Sequence, residues 1–253
     1  MNRPRDIEKY LKKYAVSPMR PLLAASVTGV DQAVVIPALA ESSSLFRTLA
    51  CIAAIPPSEL RRTLVVCVVN NPRPPLASEE EIRDNQVTLN ILKELIVGRT
   101  PSVTGPAMRK GDLERVAGSS LRLGCIDASS ADAEIPDRDG GVGTARKIGM
   151  DAALAVLSGR GPGGGVICCL DADTLVMENY IAAVHAHFSM TDDPAAVAGY
   201  AHQKPADPRL LAAICCYEIF LRAYVMGLSF AGSPYAFHAI GSTMSCTAQA
   251  YAA

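Results

Sequence analysis

Apolar runs of strand length alternate along this chain with segments whose apolar residues recur at helical spacing. The segment "QAVVIPALAE" (32–41) is a β-branched run that Pro37, and then small and polar residues, bring to a stop, which predicts a buried strand running into a loop. In "SSSLFRTLACIAAI", Leu45, Leu49, Ile52 and Ala53 fall on one helical face behind serine caps, and Pro56-Pro57 end the helix. "TLVVCVV" (63–69) is a second continuous apolar strand, stopped by Asn70-Asn71-Pro72. Strands apolar on both faces, joined through a helix, imply a parallel sheet covered by helices.

Ser78 with Glu81 three residues on forms a capping box, and Ile82, Leu89, Leu92, Leu95 and Ile96 follow on one face, predicting a helix over 78–97. Residues 99–112 read as a loop from their Gly and Pro content, and "LRLGCIDAS" (121–129) as a strand. Residues 140–159 open with glycines and then repeat Ala145, Ile148, Ala152 and Val156 as a helix. "RGPGGG" (160–165) turns the chain into the strand "VICCL". A helix from about Val176 to Phe188, a strand at 195–200, a long helix from about Pro208 to Leu228 and an extended segment from Tyr235 to Cys246 complete the pattern. There is no internal repeat and no low-complexity tract.

Of 253 residues 49% are hydrophobic, enough for one large domain or two small ones with a filled core. The 24 Lys and Arg nearly balance the 25 Asp and Glu, so no bulk field attracts nucleic acid or an anionic membrane. The eight cysteines include the adjacent pairs Cys168-Cys169 and Cys215-Cys216 and no C-x-x-C spacing; they read as small core residues in a reducing compartment. No run reaches the ~18 uninterrupted apolar residues of a membrane span, and the charged start "MNRPRDIEKYLKKY" lacks a signal-peptide core. The expectation is a soluble cytoplasmic protein with no nucleic-acid partner and no transmembrane segment. Residues 1–30 form an N-terminal extension, either a solvated surface helix or a basic amphipathic one, ahead of a domain over 31–253.

The chemistry concentrates in "VICCLDADT" (166–174), where a buried strand ends in two aspartates one residue apart. Carboxylates this close repel each other unless they share a cation or are well solvated. The C-terminal edge of a parallel sheet is where open α/β proteins bind ligands, and a hard divalent ion is held by one or two carboxylates together with substrate phosphates. The alternative is a pair of exposed loop acids or a helix cap.

"LDADTLV" resembles the nucleophile motif of the haloacid dehalogenase superfamily and also the D-x-D of the GT-A glycosyltransferases. In the dehalogenase family the motif ends the first core strand. Here it comes at Asp171, with Lys204 the only later lysine and the acidic pair Asp192-Asp193 ahead of it, so the order does not fit. The family 2 glycosyltransferase resemblance accounts for more of the chain. "VVIPALAE" (34–41) is similar to that family's opening strand, and "LVVCVVNN" (64–71) to its second. "GVGTARKIGMDAAL" (141–154) resembles its glycine-rich segment with Ala-Arg-Lys, "VICCLDADTLV" its D-x-D strand, and "HAIGSTMSCTAQAY" (238–251) its acceptor-side segment. "GGVG" is also a fragment of a dinucleotide-binding fingerprint, but it comes late and is tied to no early strand.

The resemblance implies a GT-A α/β fold, with a mostly parallel central sheet and helices on both faces. It also implies inverting transfer of a sugar from a nucleotide diphosphate sugar to an acceptor hydroxyl, with Mn2+ or Mg2+. Carried over residue by residue, Asp173 is the metal ligand and Asp171 binds the donor ribose or shares the metal. Pro37, Ala38 and Glu41 line the nucleotide pocket, and Asn70 stands where many members carry a base-reading Asp. Arg146 meets the nucleotide or diphosphate, and His238 and Gly241 lie on the acceptor side. His185 and His187, two apart on a helix, face different ways and are not a chelating pair.

The family's general base, an aspartate after the acceptor-side glycine, has no counterpart, since Glu218 is the last acidic residue. The base is therefore expected beyond Ala253, and the domain is expected to be incomplete at its C-terminus. The segment between Asn71 and Gly140 is longer than in a compact member and reads as a surface elaboration. Two rival readings remain: a dehalogenase-type phosphatase using Asp171 and Asp173, and a noncatalytic nucleotide-sugar binding module.

Overall fold

A computed structural model describes residues 3–102, 108–136, 141–159, 165–238 and 241–253. Most of the glycine-rich turn 160–165, Gly140, part of the loop 99–112 and two residues of the acceptor-side segment lie outside the described residues.

The described strands are β1 (Leu22–Ala24), β2 (Gln32–Ala38), β3 (Thr63–Asn70), β4 (Arg122–Ala128), β5 (Val166–Cys169), β6 (Ala195–Val197) and β7 (Met244–Thr247). They form one sheet in the order β1-β4-β3-β2-β5-β7-β6. The four central strands β4, β3, β2 and β5 run parallel, and β1, β7 and β6 are antiparallel additions at the two edges.

Every residue of β2 and β3 is buried because both faces are covered. Val34, Ile36, Val65, Cys67 and Val69 face one core with α2 (Leu45–Ile52), α4 (Glu79–Ile96) and α5 (Lys110–Ala117). Ala33, Val35, Leu64, Val66 and Val68 face the other, with α6 (Val142–Leu157). The architecture is the expected α/β one, a mostly parallel sheet with helices on both faces. The capping box of α4 is formed in full, with Ser78 Oγ accepting from Glu81 N and Ser78 N donating to Glu81.

Pro37 does not stop its strand. It pairs in register with Val68, and β2 continues to Ala38. Val35 accepts from Leu170 N on the β5 side, so residues 35 and 37 both direct their backbone groups toward β5. The β5 ladder ends at Cys169 opposite Val35, so the N–H that proline lacks has no ladder partner to lose. A one-turn helix, α3 (Pro57–Leu60), begins with Pro57 in its first turn rather than the chain breaking there.

The helix read from Val176 begins later, as α7 (Tyr180–Met190). Val176, Tyr180, Val184 and Phe188 all pack against the same core, so the apolar spacing carries on one turn ahead of the helical backbone.

The long helix α8 (Pro208–Phe230) has no buried residue, and Ile219, Phe220, Tyr224, Met226 and Phe230 are exposed on it. The pair Cys215-Cys216 is exposed here, contrary to the core reading, whereas Cys67, Cys125, Cys168 and Cys169 are buried as that reading expects. By length and composition α8 is long and apolar enough to cross a membrane. Arg209, Glu218 and Arg222 interrupt its apolar residues, so it carries no uninterrupted apolar run of membrane-span length.

The residues ahead of Asp31 contribute to the same architecture. β1 joins β4, and in α1 (Arg3–Lys13) Ile7 is buried while Tyr10 and Leu11 pack on the α6 side of the sheet. The helix is therefore docked along one face rather than solvated all round. Asp151 of α6, 1% exposed, accepts from Tyr10 Oη at 3.0 Å, Val16 N at 2.7 Å and Tyr251 Oη at 2.8 Å, and pairs with Lys147 at 3.1 Å. A buried carboxylate with this many donors is tolerated, and it links α1, α6 and the short helix α9 (Ala248–Tyr251).

Candidate functional site

The connections β2 to β3 to β4 step outward in one direction, and β5 then returns to the other side of β2. Loops leaving β2 and β5 therefore diverge and open a crevice at the C-terminal ends of these strands, the switch point at which such sheets bind ligands. Pro37 and Ala38 close β2 at this edge, Asn70 closes β3, and Asp171 and Asp173 follow β5.

The turn after β5 is pinned at its centre. Thr48 Oγ1 donates to the carbonyl of buried Ala172 at 2.7 Å, and Thr174 N donates to the carbonyl of Asp171 at 3.1 Å. With Ala172 held inward, Asp171 is left half-buried and Asp173 exposed.

Asp171 accepts a hydrogen bond from Arg146 Nη2. Arg146 is near the start of α6, whose capping residue Gly141 has φ +108°, a conformation that favours glycine. Gly149 one turn on lets α6 close against the sheet: a Cβ there would come 2.4 Å from Val35 Cγ1 and 2.8 Å from Val68 Cγ2. Across the crevice Gly241 lies against the same guanidinium, since a Cβ on it would come 2.6 Å from Nη1. Arg146 thus joins the D-x-D turn to the acceptor-side segment. Its Nε is buried with no hydrogen-bond partner among the described residues.

The loop after β2 is held from α4. Ala40, at φ +53°, donates its N–H to Asn85 Oδ1 at 2.9 Å. Asn85 Nδ2 in turn donates to Asn70 O at 3.1 Å and Asn71 Oδ1 at 2.9 Å. Ser42 N donates to Asp84 Oδ1 at 3.1 Å. Glu41 closes the turn into α2: its carbonyl accepts from Leu45 N, and its carboxylate from Ser44 Oγ. Asn70 is only 3% exposed, and the structure places it inside this network.

Asp84, Asn85 and Thr48 are not singled out by the sequence reading. Asn85 does leave a signal, since it sits between Ile82 and Leu89 on the apolar stripe of α4 and is fully buried. A polar side chain at such a position needs partners.

A cavity of about 1,080 Å³ extends from Asp171 and Asp173 past Tyr180 to Tyr200, His202 and Thr243. His238 meets this wall indirectly, its ring edge-on to Tyr200 at 5.5 Å. His185 and His187 keep separate partners: the first lies 2.8 Å from Arg62 and the second 3.1 Å from Asp193. Burial pushes the Cys168 thiol up to about 12 and Cys169 up to about 11, so neither supplies a thiolate at neutral pH.

No group of three or more His, Cys, Asp or Glu converges among the described residues in the manner of an all-protein metal cage. The pair at the D-x-D turn has a different character. Asp173 is exposed, and Asp171 has one of its two oxygens bound to Arg146. Such a set fits Mg2+ or Mn2+ completed by phosphate oxygens and water.

No family model matches this chain, and no curated protein matches it. A solved structure to which it is similar is that of residues 1–349 of S. aureus TarS, a glycosyltransferase. The identity is 13% and the TM-score 0.39, and the match covers 69% of this chain and 39% of that one. At that level the likeness decides neither fold nor activity.

Proposed function

We propose that this chain carries the donor half of a GT-A glycosyltransferase site, taking a nucleotide diphosphate sugar and transferring the sugar, with inversion, to an acceptor hydroxyl. The observation that carries this reading is the position of Arg146, bonded to Asp171 and packed on Gly241. Three segments that resemble the same family at separate places in the chain thereby meet at one sheet edge.

In this reading Arg146, held by Asp171, offers a fixed cation to the diphosphate. Asp173, with Asp171, would hold Mn2+ or Mg2+. When bound, the ion supplies Lewis-acid neutralisation of the leaving diphosphate. Pro37 and Ala38 form the floor of the nucleotide pocket, Glu41 stabilises its rim, and Asn70 with Asn85 keeps the two loops in register.

The test is calorimetric titration of the chain with UDP and GDP, with and without Mn2+, beside Asp173→Ala. Metal-dependent binding that the variant loses supports the donor site. Absence of binding to the folded chain under every condition removes it.

A further inference from the structure

α8 turns one narrow stripe toward the rest of the chain and the remainder of its surface outward. Leu211, Ile214, Glu218, Leu221, Val225 and Leu228, spaced three and four apart, are half-buried, and no residue of the helix is fully buried. At 3.6 residues per turn the exposed Leu210, Tyr217, Ile219, Phe220, Tyr224 and Met226 spread over about 200° of the circumference. Tyr235 and Phe237, just past the helix, are exposed as well, so three of the five Phe in the chain, Phe220, Phe230 and Phe237, stand in water on one segment. A contiguous apolar surface of this kind marks an interaction site. We propose that α8 docks this chain on a lipid membrane, lying flat in the interface between headgroups and acyl chains.

The topology decides how the helix meets the bilayer. Its 23 residues are long and apolar enough to cross, but β6 before it and β7 after it are antiparallel neighbours, with Ala195 opposite Cys246 and Val197 opposite Met244. A single crossing would put these paired strands on opposite sides of the membrane. An in-plane helix keeps both ends on one side and immerses its apolar arc.

The charges complement lipid headgroups. From Pro208 to Phe237 only Arg209, Glu218 and Arg222 are charged. Glu218, the one acid, lies on the half-buried stripe, where it meets Nδ1 and the backbone N–H of His202 and pairs with Arg222. No carboxylate therefore stands on the outward arc. Arg209 is exposed in the first turn, and Arg222 is exposed at the margin of the arc. From there a guanidinium reaches a lipid phosphate while its stem lies along apolar surface. A second copy of the chain fits less well, because paired helices meet along a single stripe, whereas acyl chains cover half a circumference. With 24 basic and 25 acidic residues the chain exerts no long-range pull on the membrane, so the attachment is apolar and resists salt.

The chain contains no Trp, so Phe220→Trp places a single fluorophore on the outward arc. Leu23→Trp, at a 47% exposed position in β1 on the opposite edge of the sheet, is the control. Each chain is mixed with phosphatidylcholine vesicles, with and without about 30% phosphatidylglycerol. Binding is read by flotation, by Trp emission and by quenching from brominated phosphatidylcholine. The unmodified chain is expected to float with both vesicles. Trp at 220 shifts to the blue and is quenched, and Trp at 23 does neither. Ile219→Ser, Phe220→Ser and Phe230→Ser combined should lower partitioning by about tenfold or more with melting unchanged, since all three side chains are exposed.

Partitioning of the folded triple variant within about threefold of the unmodified chain overturns the proposal, as does quenching at 23 equal to that at 220. Binding that vanishes between about 0.1 and 0.5 M salt marks an electrostatic contact and overturns it too. A folded chain that ignores both vesicles also overturns it, and self-association of that chain in sedimentation equilibrium would identify a second copy as the cover of α8. No nucleotide enters the experiment, so either result leaves the donor site untouched.

Discussion

Arg146 lies so close to Gly241 that a Cβ on that glycine would come 2.6 Å from Nη1 and 2.8 Å from Cζ. The atoms in the way are the far end of a long side chain, which can swing aside at small cost to folding but only by leaving Asp171. Gly241→Ala is therefore expected to melt within a few degrees of the unmodified chain. Its affinity for a nucleoside diphosphate with Mn2+ should fall about tenfold or more, as in Arg146→Ala, since it loses a charge-assisted contact. Thermal melting beside calorimetry separates the two effects, and a tight-binding Gly241→Ala removes the contact's role.

Gly149 meets a different obstacle. Its Cβ would strike Val35 and Val68, both inside the sheet, and neither can move freely. Gly149→Ala is expected to cost about 1–3 kcal/mol by overpacking, read from urea denaturation. It should also weaken nucleotide binding, because α6 carries Arg146.

Asn85 satisfies Ala40 N–H, Asn70 C=O and Asn71 Oδ1 with a fully buried amide. Asn85→Leu fits the apolar stripe of α4 but orphans these groups, at a cost of about 1–3 kcal/mol for an unsatisfied buried group. Equilibrium denaturation measures it, and a loss below about 0.5 kcal/mol contradicts the network.

The Asp151 cluster predicts alkaline sensitivity. Burial, followed by hydrogen bonds to Tyr10 and Asp151, raises Tyr251 above its ordinary 10.0. For Lys147 burial works downward, but hydrogen bonds to Tyr10 and Asp151 outweigh it and lift the ammonium above 10.5. Both groups hold their protons more tightly when folded. Their contribution is complete below pH 10 and is lost as pH rises through the folded values. Stability in urea should be flat from pH 8 to 9.5 and fall above 10, less steeply in Tyr251→Phe.

Cys215 and Cys216 are exposed, whereas Cys67, Cys125, Cys168 and Cys169 are buried. A thiol reagent at pH 8 should label the α8 pair in the folded chain within minutes and reach the four buried thiols only after denaturation. Protection of the pair in the native state contradicts the exposure of α8.

Much of the architecture was legible because periodicity is a local property. A run such as "TLVVCVV" is apolar on both faces whatever its partners are, and a capping box is closed by residues three apart. The errors came where tertiary packing overrides local preference. Pro37 stays in its strand because its β5 neighbour has already ended, and Val176 keeps helical spacing without helical backbone because the core it packs on continues.

The sequence by itself determined that the D-x-D turn ends a buried strand, that glycines and Arg146 open a helix, and that strands and helices alternate. Only the tertiary structure decided which of these side chains meet. The strand order reverses between β2 and β5, and that reversal brings Arg146, Asp171 and Gly241 to one point. It also needed the folded chain to set His202 against Glu218 and Asn85 under two loops. Such contacts depend on where elements lie in the sheet, and no spacing along the chain encodes that position.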